Sequence, residues 1–227
     1  MTGDEARHLS QVLRVREGGH ISVFDGAGSS APAEVVRITK HRVELRIGEI
    51  GHSDAHRPAV LLAQAVPKGK TMDWIVQKSV ELGVAEIQPL ITRNTVVQVG
   101  DDEAPKKREK WQRVALEACK QCGQNFLPAV AEPCDFAAWI AGAGEMAGVK
   151  LIASLADGAR PFREVLRDLP GVPDAVTLLI GPEGDFTPEE TSAALAAGFV
   201  PVTLGDIVLR VETASLFGMS ALRYEFA

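Results

Sequence analysis

Two glycine turns, each closing an apolar run, are the parts of this chain best suited to chemistry. The first is Leu178-Leu-Ile-Gly-Pro-Glu-Gly-Asp185, and Thr187-Pro-Glu-Glu190 follows it as a T-x-x-E capping box with proline at the first helical position. The second is Leu204-Gly-Asp-Ile-Val-Leu-Arg210-Val-Glu212-Thr213, a strand end, a glycine and an apolar stretch before charged residues at the mouth of a final helix. Ligands bind beyond the carboxyl ends of strands in α/β sheets, and glycine there lets a ligand approach backbone amides directly. Brought side by side, the two turns make a slot of amides, carbonyls and aliphatic side chains, which suits a neutral purine-bearing cofactor better than a polyphosphate. Each turn also has a plainer reading. The first would be a tight turn with an exposed glutamate; in the second, Glu212 would offset the helix dipole with Arg210 as its ion-pair partner. Neither G-x-G-x-x-G after the first strand nor G-x-x-x-x-G-K-[ST] occurs, so dinucleotide and P-loop chemistry lose their support.

The remaining reactive groups carry less. Cys119 and Cys122 form a C-x-x-C inside a helical pattern with no histidine or second pair nearby, so two half-buried thiols account for them and no metal is expected. Three cysteines are no disulfide framework and fit a reducing compartment. A net charge of -6 argues against nonspecific coating of nucleic acid, yet the charge is uneven. Through Arg57 the chain has 8 Lys+Arg and 8 Asp+Glu, which leaves 16 against 22 of the chain's 24 and 30 for the remainder. All five histidines (His8, His20, His41, His52, His56) fall in that neutral first part.

The elements that must position the turns follow from the patterning. With 227 residues, 46% hydrophobic and 24% charged, the chain can bury one large core or two modest ones. No apolar run approaches the roughly 18 residues of a membrane span. The acidic N-terminus lacks a signal-peptide core, so a cytoplasmic protein is expected. Thr2-Gly-Asp-Glu5 reads as a capping box opening a helix that ends near Gly18. Short β-branched runs at His20–Phe24, Ala33–Thr39 and Arg42–Ile47, separated by Asp25–Gly28 and Lys40-His41, read as a small antiparallel sheet or barrel. Gly51–Pro58 is polar and aperiodic and reads as a linker, dividing the chain into residues 1–55 and 56–227.

Beyond Pro58 the pattern is α/β. Continuous apolar runs at Ala59–Val66, Ala85–Ile91, Val149–Leu155, Val176–Ile180 and Val200–Leu204 predict buried parallel strands. Met72, Ile75, Val76, Ser79 and Val80 share one face of a helix closed by Gly83; Pro105 starts another that reaches Cys122; the helix after Thr187 stops at Gly198. The last helix, about Val211 to Glu225, carries Leu216, Phe217, Met219 and Leu222 among apolar residues on more than one face, which predicts cover by a second subunit.

GPEGDFTPEE and LGDIVLRVETA, with KGKTMDWIVQKSVELGVAEIQPLITRNTVV, ACKQCGQNFLP, HLSQVLRVREGG and VFDGAG, resemble in series the RsmE-type methyltransferases, which make 3-methyluridine in small-subunit ribosomal RNA from S-adenosylmethionine. The resemblance covers nearly the whole chain. It implies a PUA-like RNA-binding β-barrel over residues 1–55, lacking its first strand, and a SPOUT methyltransferase domain over 56–227 with a deep trefoil knot. It further implies a cytoplasmic homodimer acting on 16S rRNA within the small subunit. By position, it assigns the donor pocket to Leu155, Ile180, Gly181, Pro182, Gly184, Leu204, Gly205, Val208 and Leu209. Three positions depart from the common pattern: Asp185 replaces the last glycine of GPEGG, and Ile207 and Gln124 stand where arginine is frequent. Ile207 and Gln124 motivate one alternative, a noncatalytic RNA-binding SPOUT protein; a SPOUT methyltransferase of another RNA such as tRNA is a further alternative that the residues leave open.

Methylating uracil N3 requires loss of a weakly acidic imide proton and stabilisation of the anion that develops. Arg210 is the candidate for that stabilisation, with Glu183 and Glu212 as carboxylates to take the proton or orient the base. N3 lies on the pairing edge, so the base must leave its pair. Arg7, Arg14, Arg16, Lys68, Lys70 and Arg93 are the expected phosphate contacts; the Lys106–Arg113 run is the densest basic cluster and reads equally well as a solvated helix face.

Overall fold

The computed structural model describes residues 1–39, 41–97, 99–100, 102–156 and 158–226, apart from the side chains of Asp4 and Val12. The chain divides into two compact units, Met1–Ala55 and His56–Ala227.

In the first unit, α1 (Gly3–Arg7) continues into a π-helical turn, His8–Val12. The opening helix therefore ends at Val12 rather than near Gly18, because Arg14 takes a left-handed φ of 51° and breaks it. Four strands follow: β1 (His20–Phe24), β2 (Ser29–Ile38), β3 (Val43–Ile47) and β4 (Gly51–His52). β1, β3 and β4 all pair antiparallel with β2. Among the described residues this is the antiparallel sheet of the two forms expected, open because no strand joins β1 to β3. The Asp25 turn forms as read: its Oδ1 accepts from the Ala27 and Ser29 amides at 2.7 and 3.0 Å, which lowers its pKa. Lys40, in the other turn, lies outside the described residues. Ala6 and Leu9 of the helical segment pack on Val35 and Val43 to make a small core. Gly51-His52, assigned to the linker, instead pairs with Ser29-Ser30 as β4.

The second unit is a parallel sheet with helices on both faces. Its elements are β5 (Ala59–Ala65), α2 (Thr71–Glu81), β6 (Glu86–Ile91), α3 (Ala104–Cys122), β7 (Ala129–Val130), β8 (Cys134–Asp135) and α4 (Phe136–Ala143). They continue as β9 (Val149–Ala153), β10 (Arg160–Pro161), α5 (Phe162–Arg167), β11 (Ala175–Ile180), α6 (Pro188–Ala196), β12 (Val200–Thr203) and α7 (Val211–Phe226). The strand order is β10-β12-β9-β11-β5-β6-β7, with β8 also on β6. All five predicted long strands form. The two-residue strands and helices α4 and α5 were not foreseen; Asp135 caps α4 by accepting from the Ala138 amide at 3.1 Å.

Two-residue periodicity splits the strand side chains between the layers. Ala63, Ile152 and Leu179 join Phe136, Ile140 and Ala194 of α4 and α6 in one core. Their neighbours Gln64 and Leu178 face α7 instead: Ser215 donates to the buried Gln64, and a Cβ added at Gly218 would sit 2.6 Å from Leu178 Cδ2. The buried face of α2 is Met72, Ile75, Val76, Ser79 and Val80, as its spacing predicts. On α7, Met219 and Leu222 are buried within the unit, which corrects their expected exposure; Phe217 and Tyr224 remain exposed.

Candidate functional site

The carboxyl ends of β9, β11 and β12 open into one cleft of about 520 Å³, bordered also by the segment after β5 and the start of α7. The two glycine turns do come together here. Ile180, Gly181 and Pro182 form one wall, Leu204, Gly205, Val208 and Leu209 the other, and Leu155 lies at the end of β9. Of the nine residues assigned by position to a donor pocket, Gly184 is the one that does not line the cleft; its Cα side faces Asn94, whose Cβ would lie 3.2 Å from an added methyl. Patterning passed over Ala153, Ser154, Thr71, Val211 and Ala214, which complete the lining; small residues at element ends carry no periodic signal.

Local chemistry explains the shape of each turn. In the first, the Asp185 amide donates to Pro182 O at 3.0 Å, closing a reverse turn that leaves Asp185 at a φ of 57°. Asp is among the few side chains that accept this region, and its Oδ1 takes the Phe186 amide at 2.8 Å. That accounts structurally for aspartate at a position where the family pattern has glycine. The capping box beyond it is formed, with Thr187 and Glu190 exchanging bonds of 2.9 and 3.2 Å. In the second turn, Gly205 has a φ of 133°, held by Thr203 Oγ1, which accepts from its amide at 3.3 Å and donates to its carbonyl at 3.0 Å. Only glycine reaches that conformation without strain.

The lining is apolar at its mouth and carries one more acidic than basic side chain. Leu155, Ile207 and Val208 are 61%, 78% and 75% exposed, an unusual concentration of solvent-facing aliphatic surface. Lys68 and Arg210 face three carboxylates, Glu183, Asp185 and Glu212. A polyphosphate would meet more negative than positive charge, whereas a ligand with a cationic centre and a flat apolar ring would not.

All three candidate catalytic residues line the cleft. Arg210 caps α7, its carbonyl accepting from the Ala214 amide at 2.8 Å, and its side chain is exposed. Among the described residues it makes no ion pair, with Glu212 or any other carboxylate, so its guanidinium remains available to the cleft. Glu183 is engaged: its Oε1 accepts from the Lys68 amide at 2.9 Å.

The expected phosphate contacts fall on several elements of both units. Lys68 borders the cleft, while Lys70 borders a separate groove with Trp74 and Arg113. Arg93 follows β6, where its amide donates to Glu190 Oε1 at 2.8 Å. Arg7, Arg14 and Arg16 are exposed residues of the first unit. In the basic run of α3, Lys110 bonds Asp73 at 2.7 Å and Arg113 pairs with Glu109, so part of that cluster serves the helix surface. Cys119 is buried, which pushes its thiol up to about 11, far from the reactive range. Among the described residues no group of histidines, cysteines and carboxylates is arranged to hold a metal.

Comparison with known proteins bears on this geometry. Residues 55–223 match the family model of an RNA methyltransferase domain, and residues 1–48 that of an RNA methyltransferase PUA domain. The chain is 29% identical over 231 residues to the ribosomal RNA small subunit methyltransferase E of Bacillus subtilis, covering 99% of this chain and 89% of that one. Identity with the protein of the same name from Synechocystis is 30%, over 98% of this chain and 71% of the relative. Among solved structures, the ribosomal RNA small subunit methyltransferase E of Neisseria gonorrhoeae, bound to S-adenosyl methionine, aligns with a TM-score of 0.86 at 35% identity, covering 99% of this chain and 90% of that one.

Proposed function

The chain belongs to the ribosomal RNA small subunit methyltransferase E family of RNA methyltransferases, and on that premise we propose that it methylates N3 of a uridine in 16S rRNA, with S-adenosylmethionine as donor. The observation that carries the reading is the cleft itself. It joins both glycine turns at the strand ends, is lined by Leu155, Ile180, Leu204, Val208 and Leu209, and has no surplus of positive charge. Its volume, about 520 Å³, is in the range of pockets that enclose a cofactor-sized ligand. When bound there, the donor's sulfonium supplies an electrophilic methyl group.

The chain's own residues have distinct tasks in this proposal. The aliphatic walls exclude water from the adenosine side. Arg210 sets a fixed positive charge beside the flipped uracil and stabilises its oxygens as N3 loses its proton. Glu212, in the first turn of α7, is the carboxylate we assign to that proton or to orienting the base. Lys68 at the cleft, Lys70 and Arg93 elsewhere on the second unit, and Arg7, Arg14 and Arg16 of the first are assigned to phosphates, an interaction that weakens steeply with salt. The proposal includes a PUA-like RNA-binding role for residues 1–55, a knotted SPOUT domain for 56–227, a homodimer, a substrate within the small ribosomal subunit and action in the cytoplasm.

Donor binding is tested by calorimetry on the purified protein. Wild type should bind S-adenosylmethionine, and Gly205→Trp should abolish binding, because it places an indole in the slot at a φ closed to tryptophan. Unchanged affinity in that variant would move the site elsewhere.

A further inference from the structure

The donor turn does not stand alone at the end of β11. It is gripped from both flanks by loops that belong to other crossovers. On one side the segment after β6 folds back on itself: the Thr95 amide donates to Thr92 O at 3.1 Å, the Thr92 amide to Thr95 Oγ1 at 3.0 Å, and the two hydroxyls bond at 2.9 Å. Asn94, exposed at the tip, directs its amide Nδ2 to two consecutive carbonyls of the turn, Gly184 O and Asp185 O, both at 2.9 Å. The neighbouring Arg93 amide is fixed to Glu190 at 2.8 Å, in the capping box that ends the same turn. On the other side, Glu183 Oε1 takes the Lys68 amide at 2.9 Å.

We propose that Asn94 is a positioning residue for methyl-donor binding, which holds the Pro182–Asp185 turn in its donor-receiving shape through its paired bonds to Gly184 and Asp185, with Glu183 as the opposite brace. The inference rests on the donor reading of the cleft and extends it to a residue that does not line the cleft. Its physical basis is preorganisation. A glycine turn built to expose backbone to a ligand is intrinsically mobile, and the entropy of ordering it is charged against binding unless other contacts have already ordered it. Asn94 can do this because both protons of one NH₂ group satisfy acceptors one residue apart, which an alanine or an aspartate cannot. Asp185 adds to the need: its left-handed backbone costs an aspartate more than it would cost a glycine, so the turn gains from bonds made by neighbouring segments. Glu183, with one carboxylate oxygen on the Lys68 amide, acts here as a brace.

Asn94→Ala and the near-isosteric Asn94→Asp separate this from a packing role. Loss of two neutral hydrogen bonds predicts a donor Kd raised roughly 5- to 30-fold in both variants, while single-turnover methyl transfer at saturating donor stays within about threefold of wild type. Glu183→Ala should raise the donor Kd in the same way, and Glu183→Gln, which keeps an acceptor for the Lys68 amide, should recover it. In ligand-free protein, amide hydrogen exchange across Pro182–Phe186 should be faster in Asn94→Ala than in wild type, a readout independent of the donor. Equal exchange and equal Kd would overturn the proposal. So would a loss of turnover that saturating donor does not restore. Failure of wild type to bind S-adenosylmethionine, with exchange in the turn still accelerated by Asn94→Ala, would refute the donor reading and leave the clamp standing.

Discussion

Arg210 is where the sequence offered two incompatible readings, an ion-pair partner of Glu212 or a cation reserved for substrate. The absence of an ion pair at Arg210 among the described residues, and its position in the cleft lining at the head of α7, favour the second. Arg210→Ala is then expected to lower single-turnover methylation of small ribosomal subunits by about 10²- to 10³-fold, with donor affinity nearly unchanged, since the interaction is made in the transition state. A fall in turnover that only tracks lost donor binding would make Arg210 part of the pocket wall. The residues of the cleft were legible to unequal degree. Glycine turns at strand ends announce themselves by composition, so Gly181 and Gly205 could be found without coordinates. Asn94 could not, because its partners lie 90 and 91 residues further along the chain and nothing local marks such a pairing.

At the scale of elements, helix α7 has to bring Arg210 and Glu212 to the ends of the strands while lying on the sheet. Gly218 permits the approach. Alanine normally favours a helix over glycine by about 1 kcal/mol, so Gly218→Ala would stabilise an isolated α7. In the folded protein the new methyl would meet Leu178 Cδ2 at 2.6 Å, and Leu178 is fully buried on a central strand. Overpacking of this kind costs about 1 to 3 kcal/mol, so the net effect expected in denaturant unfolding is destabilisation; a stabilised Gly218→Ala would contradict this close packing of α7 on the sheet. The long elements were readable because strands β5, β6, β9, β11 and β12 are apolar runs and α2 keeps a clean 3.6-residue stripe. The short ones were not: β7, β8 and β10 have two residues each, too few for any period to register. The ending of the first helix was missed for a different reason, a single left-handed arginine that no propensity scale anticipates.

For the whole molecule, the division near residue 55 was marked by a polar stretch and a change of texture, although β4 shows that part of that stretch is structured. The order of the strands in the sheet was beyond such reading, because it leaves no periodic trace in composition. A second subunit was inferred from the apolar residues of α7, and the burial of Met219 and Leu222 shifts that argument onto Phe217, 48% exposed, and the half-buried Leu216. Light scattering should give twice 24.3 kDa for wild type and a monomer for Phe217→Glu; a wild-type monomer at micromolar concentration would remove the dimer from the account.

Methylation of a small-subunit ribosomal RNA uridine by this chain, as proposed, is tested most directly by mass spectrometry of nucleosides from 16S rRNA of a strain deleted for its gene and complemented in turn with wild type and Arg210→Ala. 3-Methyluridine should disappear on deletion, return with wild type and stay absent or strongly reduced with Arg210→Ala. A deletion strain whose 16S rRNA keeps its full 3-methyluridine, or loses a different modification, would contradict it.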